Sequence, residues 1–354
     1  MRSKTLLMSG NEALAAGALA AGCRFYAGYP ITPQNELIAY LARHMPGHKG
    51  VFIQAESELS AVNMVYGAAA AGARAMTSSS SPGMSLKQEG ISYLAGAQLP
   101  AVIVNIMRGG PGLGNIAPAQ SDYFQATRGG GHGDYHTLVL APAGVQEAYD
   151  LMPEAFRLAD RYRIPVIILG DGMLGQMREP VTIKSSVSPL RQPAKPWTLT
   201  GCKKRRPHVV KSFFMREGDL QAHNRLLQKK YQRIAASRQR WEESFLEDAR
   251  IVVVAYGMMA RIAREAVIAL RAARVRAGMI RPITLWPFPR QAFMKVVGRR
   301  TKPRILAVEM SAGQMVEDVR LSVEGAVPVA FLGCGGGGVP TAGQIVRAVR
   351  RLVR

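Results

Sequence analysis

The chain of 354 residues is short of cysteine, of acids and of long apolar runs, and each shortage closes off a class of function. Its three cysteines, Cys23, Cys202 and Cys334, lie far apart with no C-x-x-C pair, which argues against a zinc knuckle or a self-contained iron–sulfur cluster. Scattered single thiols suit a reducing compartment, so a cytoplasmic location is expected. No apolar stretch is long enough to span a bilayer. The opening MRSKTLLMSGNEALAAGALAAG has the basic and small residues of a secretory signal, but Asn11 and Glu12 interrupt it. Ala13, Leu14, Ala16, Leu19 and Ala20 repeat with a helical period, so the segment reads as a first helix.

The shortage of acids is uneven. Residues 1–190 carry 14 Lys and Arg against 13 Asp and Glu, residues 191–250 carry 15 against 6, and residues 251–354 carry 17 against 5. A neutral front and a basic back invite an acidic partner, either protein or nucleic acid. The charge lies along a connector and surface helices, without interleaved aromatics or a nucleic-acid motif. A basic nucleic-acid-binding protein is therefore the rival reading of another class, and steep salt-sensitive DNA binding is its mark.

In the front half, helical patterns at about 11–22, 33–44, 57–72, 81–96 and 144–161 alternate with the β-like runs FYAGY (25–29), VFIQ (51–54), AMTSS (75–79), AVIVNI (101–106), TLVLA (137–141) and PVIILG (165–170). That alternation predicts an α/β fold with a parallel sheet covered on both faces. A Pro- and Ser-rich stretch, EPVTIKSSVSPLRQPAKPWTLTG, reads as an extended connector, and residues 218–249 as a long polar helix ending in RWEESFLEDAR. A second α/β unit follows, with strands expected at 251–257, 276–282, 304–310 and 328–333, and a last helix after PTAGQ (340–344).

Ligands of such sheets bind beyond the C-terminal strand ends, so the loops there matter most. The first is GYPITPQNE, where Thr32 suits a helix N-cap and Pro33 a first helical residue. The second is QAESE, with Glu56 and Glu58 at a helix start. A helix start favours negative charge, but one of these acids could instead serve a bound molecule. The third, SSSSPGMSLKQEG, is rich in hydroxyls, and the fourth, MRGGPGLGNIAPAQSD, holds Arg108 in a glycine-rich loop. His132 and His136 lack a third metal ligand, and GCGGGGVPT (333–341) could be an anion nest or a tight turn. No G-x-G-x-x-G follows the first strand, which argues against a nicotinamide enzyme.

These loops resemble those of the α subunit of the 2-oxoacid:ferredoxin oxidoreductases. GYPITPQ, QAESELSAVNMVYGAAAAGARAMTSSSSPGMSL, RGGPGLGNIAPAQSDYFQATRGGGHGDY and IRPITLWPFP carry the similarity, which extends over essentially the whole chain. KPWTLTG and the length resemble the branched-chain 2-ketoisovalerate branch, with the 2-oxoglutarate branch a close rival. The resemblance implies a thiamine diphosphate enzyme with a pyrimidine-binding domain at 1–180, a connector with a long polar helix at 181–249, and a transketolase C-terminal-like domain at 250–354. It implies oxidative decarboxylation of a 2-oxo acid, 3-methyl-2-oxobutanoate in that branch, to an acyl-coenzyme A and CO2, with electrons to ferredoxin.

Matched residue by residue, the resemblance gives Glu58, not Glu56, the role of holding a proton at the aminopyrimidine ring. Enclosure among Ala61, Val62 and Val65 suits that role. Arg108 matches the substrate-binding arginine, Thr32 a threonine close to cofactor and substrate, and Tyr29 and Pro30 shape the pocket wall. The family holds the diphosphate and Mg2+ through a Gly-Asp-Gly sequence and a later Asn. Gly170-Asp171-Gly172 imitates the first half, but no Asn lies between Asn115 and Asn224, so Asp171 reads as a turn residue. The resemblance therefore implies that a β subunit carries the diphosphate and Mg2+, and that ferredoxin-like and γ-type subunits carry the iron–sulfur clusters.

Overall fold

The computed structural model describes residues 3–184 and 193–353. Strand β1 (Ser3–Ser9) ends at Ser9, which caps helix α1 (Gly10–Ala20) in a reciprocal box with Glu12. Strand–helix pairs follow: β2 (Phe25–Gly28) with α2 (Asn35–His44), β3 (Val51–Gln54) with α3 (Glu58–Ala70), and β4 (Ala75–Ser79) with α4 (Ser81–Gly96). Then come β5 (Ala101–Met107) with the short α5 (Tyr123–Thr127), and β6 (Leu138–Leu140) with α6 (Val145–Tyr162). β7 (Pro165–Asp171) and the one-turn α7 (Gly172–Gln176) lead into β8 (Arg178–Lys184), which returns antiparallel to β1.

The second half begins with α8 (Asp219–Ser237), β9 (Trp241–Ser244), β10 (Ile251–Val254), α9 (Gly257–Ala272) and β11 (Ala277–Pro282). It continues through β12 (Thr284–Trp286), α10 (Arg290–Val297), β13 (Arg304–Glu309), α11 (Met315–Val323), β14 (Val329–Gly333) and α12 (Ala342–Val353). Two larger sheets result, with strand orders β12-β6-β7-β5-β4-β2-β3 and β14-β13-β10-β11-β9. Each is parallel apart from one antiparallel edge strand, β12 in the first and β9 in the second. β4, β5 and β7 are buried along their whole length, as strands covered on both faces must be. This is the expected α/β architecture.

Strand β2 is the switch point of the first sheet: the chain leaves it to β3 on one side and returns to β4 on the other. A crevice opens at the carboxyl ends of such strands. The loops after β2, β3, β4 and β5 converge there.

Three local readings are corrected. Thr32 does not cap α2 and Pro33 does not start it: the cap position is Gln34, without a side-chain cap bond, and the chain turns first through a Gln34 amide to Ile31 carbonyl bond of 3.1 Å. Gln34 is drawn inward by the Ser78 hydroxyl, which holds the helix start back. The helix of 218–249 stops at Ser237, after Leu227, Tyr231 and Ile234 have buried its one apolar stripe. Paired bonds between Arg240 and Thr284 then lay Trp241–Ser244 along β11 as a strand. The last helix begins at Ala342 rather than after residue 344. Of the expected connector, 180–184 belongs to β8, 185–192 lie outside the described residues, and 193–218 have no helix or strand.

The connector is fastened by charge. Asp160 of α6 accepts from Arg74 Nε at 2.8 Å and pairs with Lys195 Nζ at 2.9 Å, with side chains only 2–8% exposed. Removing that carboxylate takes a counter-ion from two buried cations, which keep bonds to the Ala21 and Gly72 carbonyls. Asp160→Ala is expected to cost about 3–5 kcal/mol, measured as a lower urea midpoint with an unchanged m value.

Candidate functional site

Glu58 is the first residue of α3. Ser57 occupies the cap and accepts from the Ser60 amide at 3.2 Å. Glu56 stays outside, exposed, with its carboxylate bonded by the Ser60 hydroxyl, which holds it below the usual carboxylate range. Glu58 turns inward and is 6% exposed among Ala61, Val62 and Val65, all buried. The two acids at this helix start thus lie on opposite sides of the surface.

Helix α4 closes over Glu58. Gly83, Lys87 and Gly90 recur at the spacing of one helical face, and that face meets α3. A Cβ at Gly90 would strike Val62, and one at Gly83 would strike both the Glu58 carboxylate and the Ser79 hydroxyl. Lys87, between the two glycines, is fully buried. It donates from Nζ to Thr77 Oγ1 at 3.0 Å and to the Glu58 carbonyl at 3.3 Å. The Ser79 and Ser80 hydroxyls are buried and have no partner among the described residues. Beside them the Tyr26 hydroxyl, the Ser78 hydroxyl and the Gln34 side-chain carbonyl form a buried chain with links of 2.6 Å.

Arg108 follows β5 and is 7% exposed. Its guanidinium donates to the Thr32 carbonyl at 2.9 Å and the Leu113 carbonyl at 3.0 Å, and its Nε is buried without a partner. No carboxylate pairs with it among the described residues. A buried cation without an internal anion is suited to an anionic guest. Its backbone is held at both ends by Ser81 Oγ, which in turn donates to Asp122 at 2.7 Å. The loop continues to Gln120, fully buried, which exchanges bonds with Met310 and donates to the carbonyl of Tyr256, the cap position of α9. Asn115 donates to the Gly336 carbonyl at 3.0 Å, so the glycine-rich stretch after β14 lies against this loop.

The structure thus brings Thr32 to Arg108 through a backbone carbonyl, and Glu58 to Ser79 and Gly83. Tyr29 is 40% exposed and Pro30 is exposed, on the loop between β2 and α2. Asp171 caps α7, accepting from the Met173 and Leu174 amides at 2.9 and 3.1 Å, and burial pushes its carboxyl up to about 6. The two histidines part company: His136 stacks on Trp286 at 4.4 Å and His132 meets the edge of Tyr93. No group of three or more metal-ligating side chains occurs among the described residues, and none of their helices is long and apolar enough to cross a membrane. A cavity of about 850 Å³ lies elsewhere, between α6, α9 and β11, and neither Glu58 nor Arg108 lines it.

Lys87 and Gly83 were not singled out from the sequence. Their signal was available in the G-x-x-x-K-x-x-G spacing, but a lysine on an otherwise small and apolar helix face reads as a solvated residue until α3 is placed against it.

Comparison with known proteins bears on the family and the fold. Residues 16–242 match the family described as "Pyruvate flavodoxin/ferredoxin oxidoreductase, thiamine diP-bdg", and residues 249–345 match "Pyruvate:ferredoxin oxidoreductase core domain II". The ketoisovalerate oxidoreductase subunit VorB of Methanothermobacter marburgensis is 48% identical over 98% of both chains, and that of Methanothermobacter thermautotrophicus 51% identical over 90% of both. The 2-oxoglutarate synthase subunit KorA of the latter is 37% identical over 98% of both. Among solved structures, the 2-oxoglutarate:ferredoxin oxidoreductase from Magnetococcus marinus with 2-oxoglutarate, coenzyme A and succinyl-CoA bound superposes with a TM-score of 0.85 at 26% identity. The match covers 99% of this chain but 65% of that one. A split gene transketolase, at 14% identity and a TM-score of 0.61, shares the fold over 97% of both chains.

Fold and family match together define an α/β protein with a thiamine diphosphate-binding domain and a transketolase-like fold. Within that class the chain belongs to the 2-oxoacid:ferredoxin oxidoreductase family, as an α-type subunit.

The contact at Gly83 is testable without any assay of function. Gly83→Ala should push the Glu58 carboxylate and the Ser79 hydroxyl apart at a cost of about 1–3 kcal/mol, read as a lower thermal midpoint. A crystal structure of the variant would report the displaced carboxylate.

Proposed function

We propose that this chain supplies the pyrimidine end of a thiamine diphosphate site shared with a partner subunit. The reaction is the oxidative decarboxylation of 3-methyl-2-oxobutanoate to an acyl-coenzyme A and CO2, with electrons passing to ferredoxin. One observation carries the reading: a carboxylate enclosed at the switch point of a parallel sheet, beside buried hydroxyls with no partner of their own.

The residues fit the cofactor. An aminopyrimidine needs an enclosed acid, and Glu58 is one; it needs further polar contacts, and Ser79 Oγ and Ser80 Oγ are free to make them. When bound, thiamine diphosphate supplies a carbon nucleophile on its thiazolium ring, activated by its own amino group. Glu58 holds a proton at the ring nitrogen, and the apolar wall of Ala61, Val62 and Val65 keeps water from competing for it. Arg108 receives the carboxylate of the 2-oxo acid through its unpartnered Nε edge. Thr32, tied to Arg108 by its carbonyl, leaves its side chain on the exposed loop with Tyr29 and Pro30 as a wall of the pocket.

Several features support completion by a partner. Leu59, Leu86, Leu113 and Ile116 are large apolar residues exposed around these loops. Asp171 is taken up in capping α7, which favours a β-type subunit as the holder of the diphosphate and Mg2+. With three distant cysteines, the iron–sulfur clusters belong to ferredoxin-like and γ-type subunits in a cytoplasmic assembly. Residues 1–180 act as the pyrimidine-binding unit, 181–249 as connector and 250–354 as the transketolase C-terminal-like unit.

The substrate follows from identity and from charge. A second carboxylate, as in 2-oxoglutarate, would need a second cation, and residues 109–127 contain no Lys or Arg but expose Leu113 and Ile116. That favours an aliphatic tail. Purified with its partner subunits and assayed with coenzyme A and a viologen dye, the enzyme should turn over 3-methyl-2-oxobutanoate in preference to 2-oxoglutarate; the reverse preference would overturn the substrate assignment. Glu58→Gln should lower kcat by about 10²–10⁴ with an unaltered circular dichroism spectrum. Arg108→Met should lower kcat/KM for the 2-oxo acid about 10–100-fold, the equivalent of ~1.5–3 kcal/mol of charged hydrogen bonding.

A further inference from the structure

Lysine is almost never fully buried without a partner of opposite charge. Lys87 has no exposed surface, lies in the middle of α4 and makes no ion pair among the described residues. Its Nζ has two neutral oxygen partners, the Thr77 hydroxyl and the carbonyl of Glu58. The same helix face carries Gly83, which touches the Glu58 carboxylate one turn earlier, and Gly90, which lets Val62 approach one turn later. Two absent side chains thus bring α4 close enough for Lys87 to reach the first turn of α3.

We infer that Lys87 is a positioning residue for Glu58: it fastens the helix start that carries the carboxylate, and it balances the charge of that carboxylate, giving up its own proton when the charge is taken up by a bound aminopyrimidine ring. The inference rests on the assignment of Glu58 proposed above. The step conserves atoms and charge. An N–H bond of the ammonium breaks and leaves a neutral amine on Lys87, and one proton joins the shared pair formed by the Glu58 carboxylate and the ring nitrogen.

Electrostatics supports the arrangement. Burial pushes Lys87 down to about 7, and the nearby Glu58 charge opposes that shift. Among the described residues no other charged group contributes to that shift. Glu89 and Tyr93 of α4 bond each other on the exposed side, Tyr66 of α3 is half-buried, and Thr77 of β4 is neutral. Below about pH 7 the ammonium stabilises an ionised Glu58. Once that carboxylate is neutralised by a partner, only the penalty of burial remains, and the proton leaves.

The test counts protons. Thiamine diphosphate is titrated calorimetrically into the cofactor-depleted assembled enzyme between pH 6 and 8.5, in buffers of differing ionisation heat. Contributions from the diphosphate are common to all variants and cancel in the comparison. In the wild type Lys87 provides the proton below pH 7, where it is mostly charged. Lys87→Met must take it from the buffer, so at pH 6 it should absorb up to about one more proton per site, an excess that shrinks through pH 7 and vanishes toward pH 8.5; below pH 7 its affinity should fall by up to about tenfold per pH unit relative to wild type, the linkage slope of one proton. Thr77→Val, which removes one acceptor without removing charge, should show an intermediate excess near pH 7 that shrinks toward pH 6. Equal proton uptake by wild type and both variants would overturn the inference. Glu58→Gln separates the two claims. If it keeps full turnover, the assignment of Glu58 and the role of Lys87 fall together; if it loses turnover while Lys87→Met takes up protons as the wild type does, only the role of Lys87 falls.

Discussion

The close approach of helices α3 and α4 is the constraint from which the site follows. Two positions without side chains, Gly83 and Gly90, allow the two helices to touch. Between them the Glu58 carboxylate is roofed over and Lys87 is drawn out of water. Burying an acid and a lysine has an electrostatic cost that a purely structural helix pair would avoid. Both groups lie where four strand-end loops converge.

A second constraint ties this place to the rest of the molecule. The loop bearing Arg108 is anchored at its start by Ser81, and at its end by Gln120, whose bonds run to Tyr256 and Met310, just beyond strands β10 and β13 of the second sheet. Asn115 touches the glycine-rich stretch after β14 through the Gly336 carbonyl. The second half also lends β12 to the first sheet, and Arg281 of β11 reaches Glu147 of α6 with two bonds of 2.8 and 2.9 Å. The two sheets are therefore mechanically one body around the arginine loop, although a family boundary falls between residues 242 and 249. A site assembled in this way is rigid on one side and open on the other, where Leu113 and Ile116 stand exposed.

Much of this was legible in the chain. The central strands are runs of aliphatic residues between helical periods, and β3 and β4 fall on the residues that pattern marks. Glu58, Arg108, Thr32, Tyr29 and Pro30 were marked by their loops, because parallel strands end where ligands bind. What escaped had weak local signals. β1, β8, β9 and β12 owe their conformation to distant partners, such as Ser3 paired with Lys184 or Trp241 with Pro282. Thr32 and Pro33 carried a good helix-start signature, yet the pull of Ser78 on Gln34 moved that start.

The sequence by itself determined the class of fold and the chemical vocabulary of the loops, because hydrophobic period and turn residues act over a few positions. Family resemblance pointed to Glu58 over Glu56, but only the tertiary structure showed that it turns inward, that a lysine lies buried beside it, and that Arg108 has no anion among the described residues. Those outcomes depend on burial and on charge separation across elements far apart in the chain, and neither quantity exists until the helices and sheets have packed.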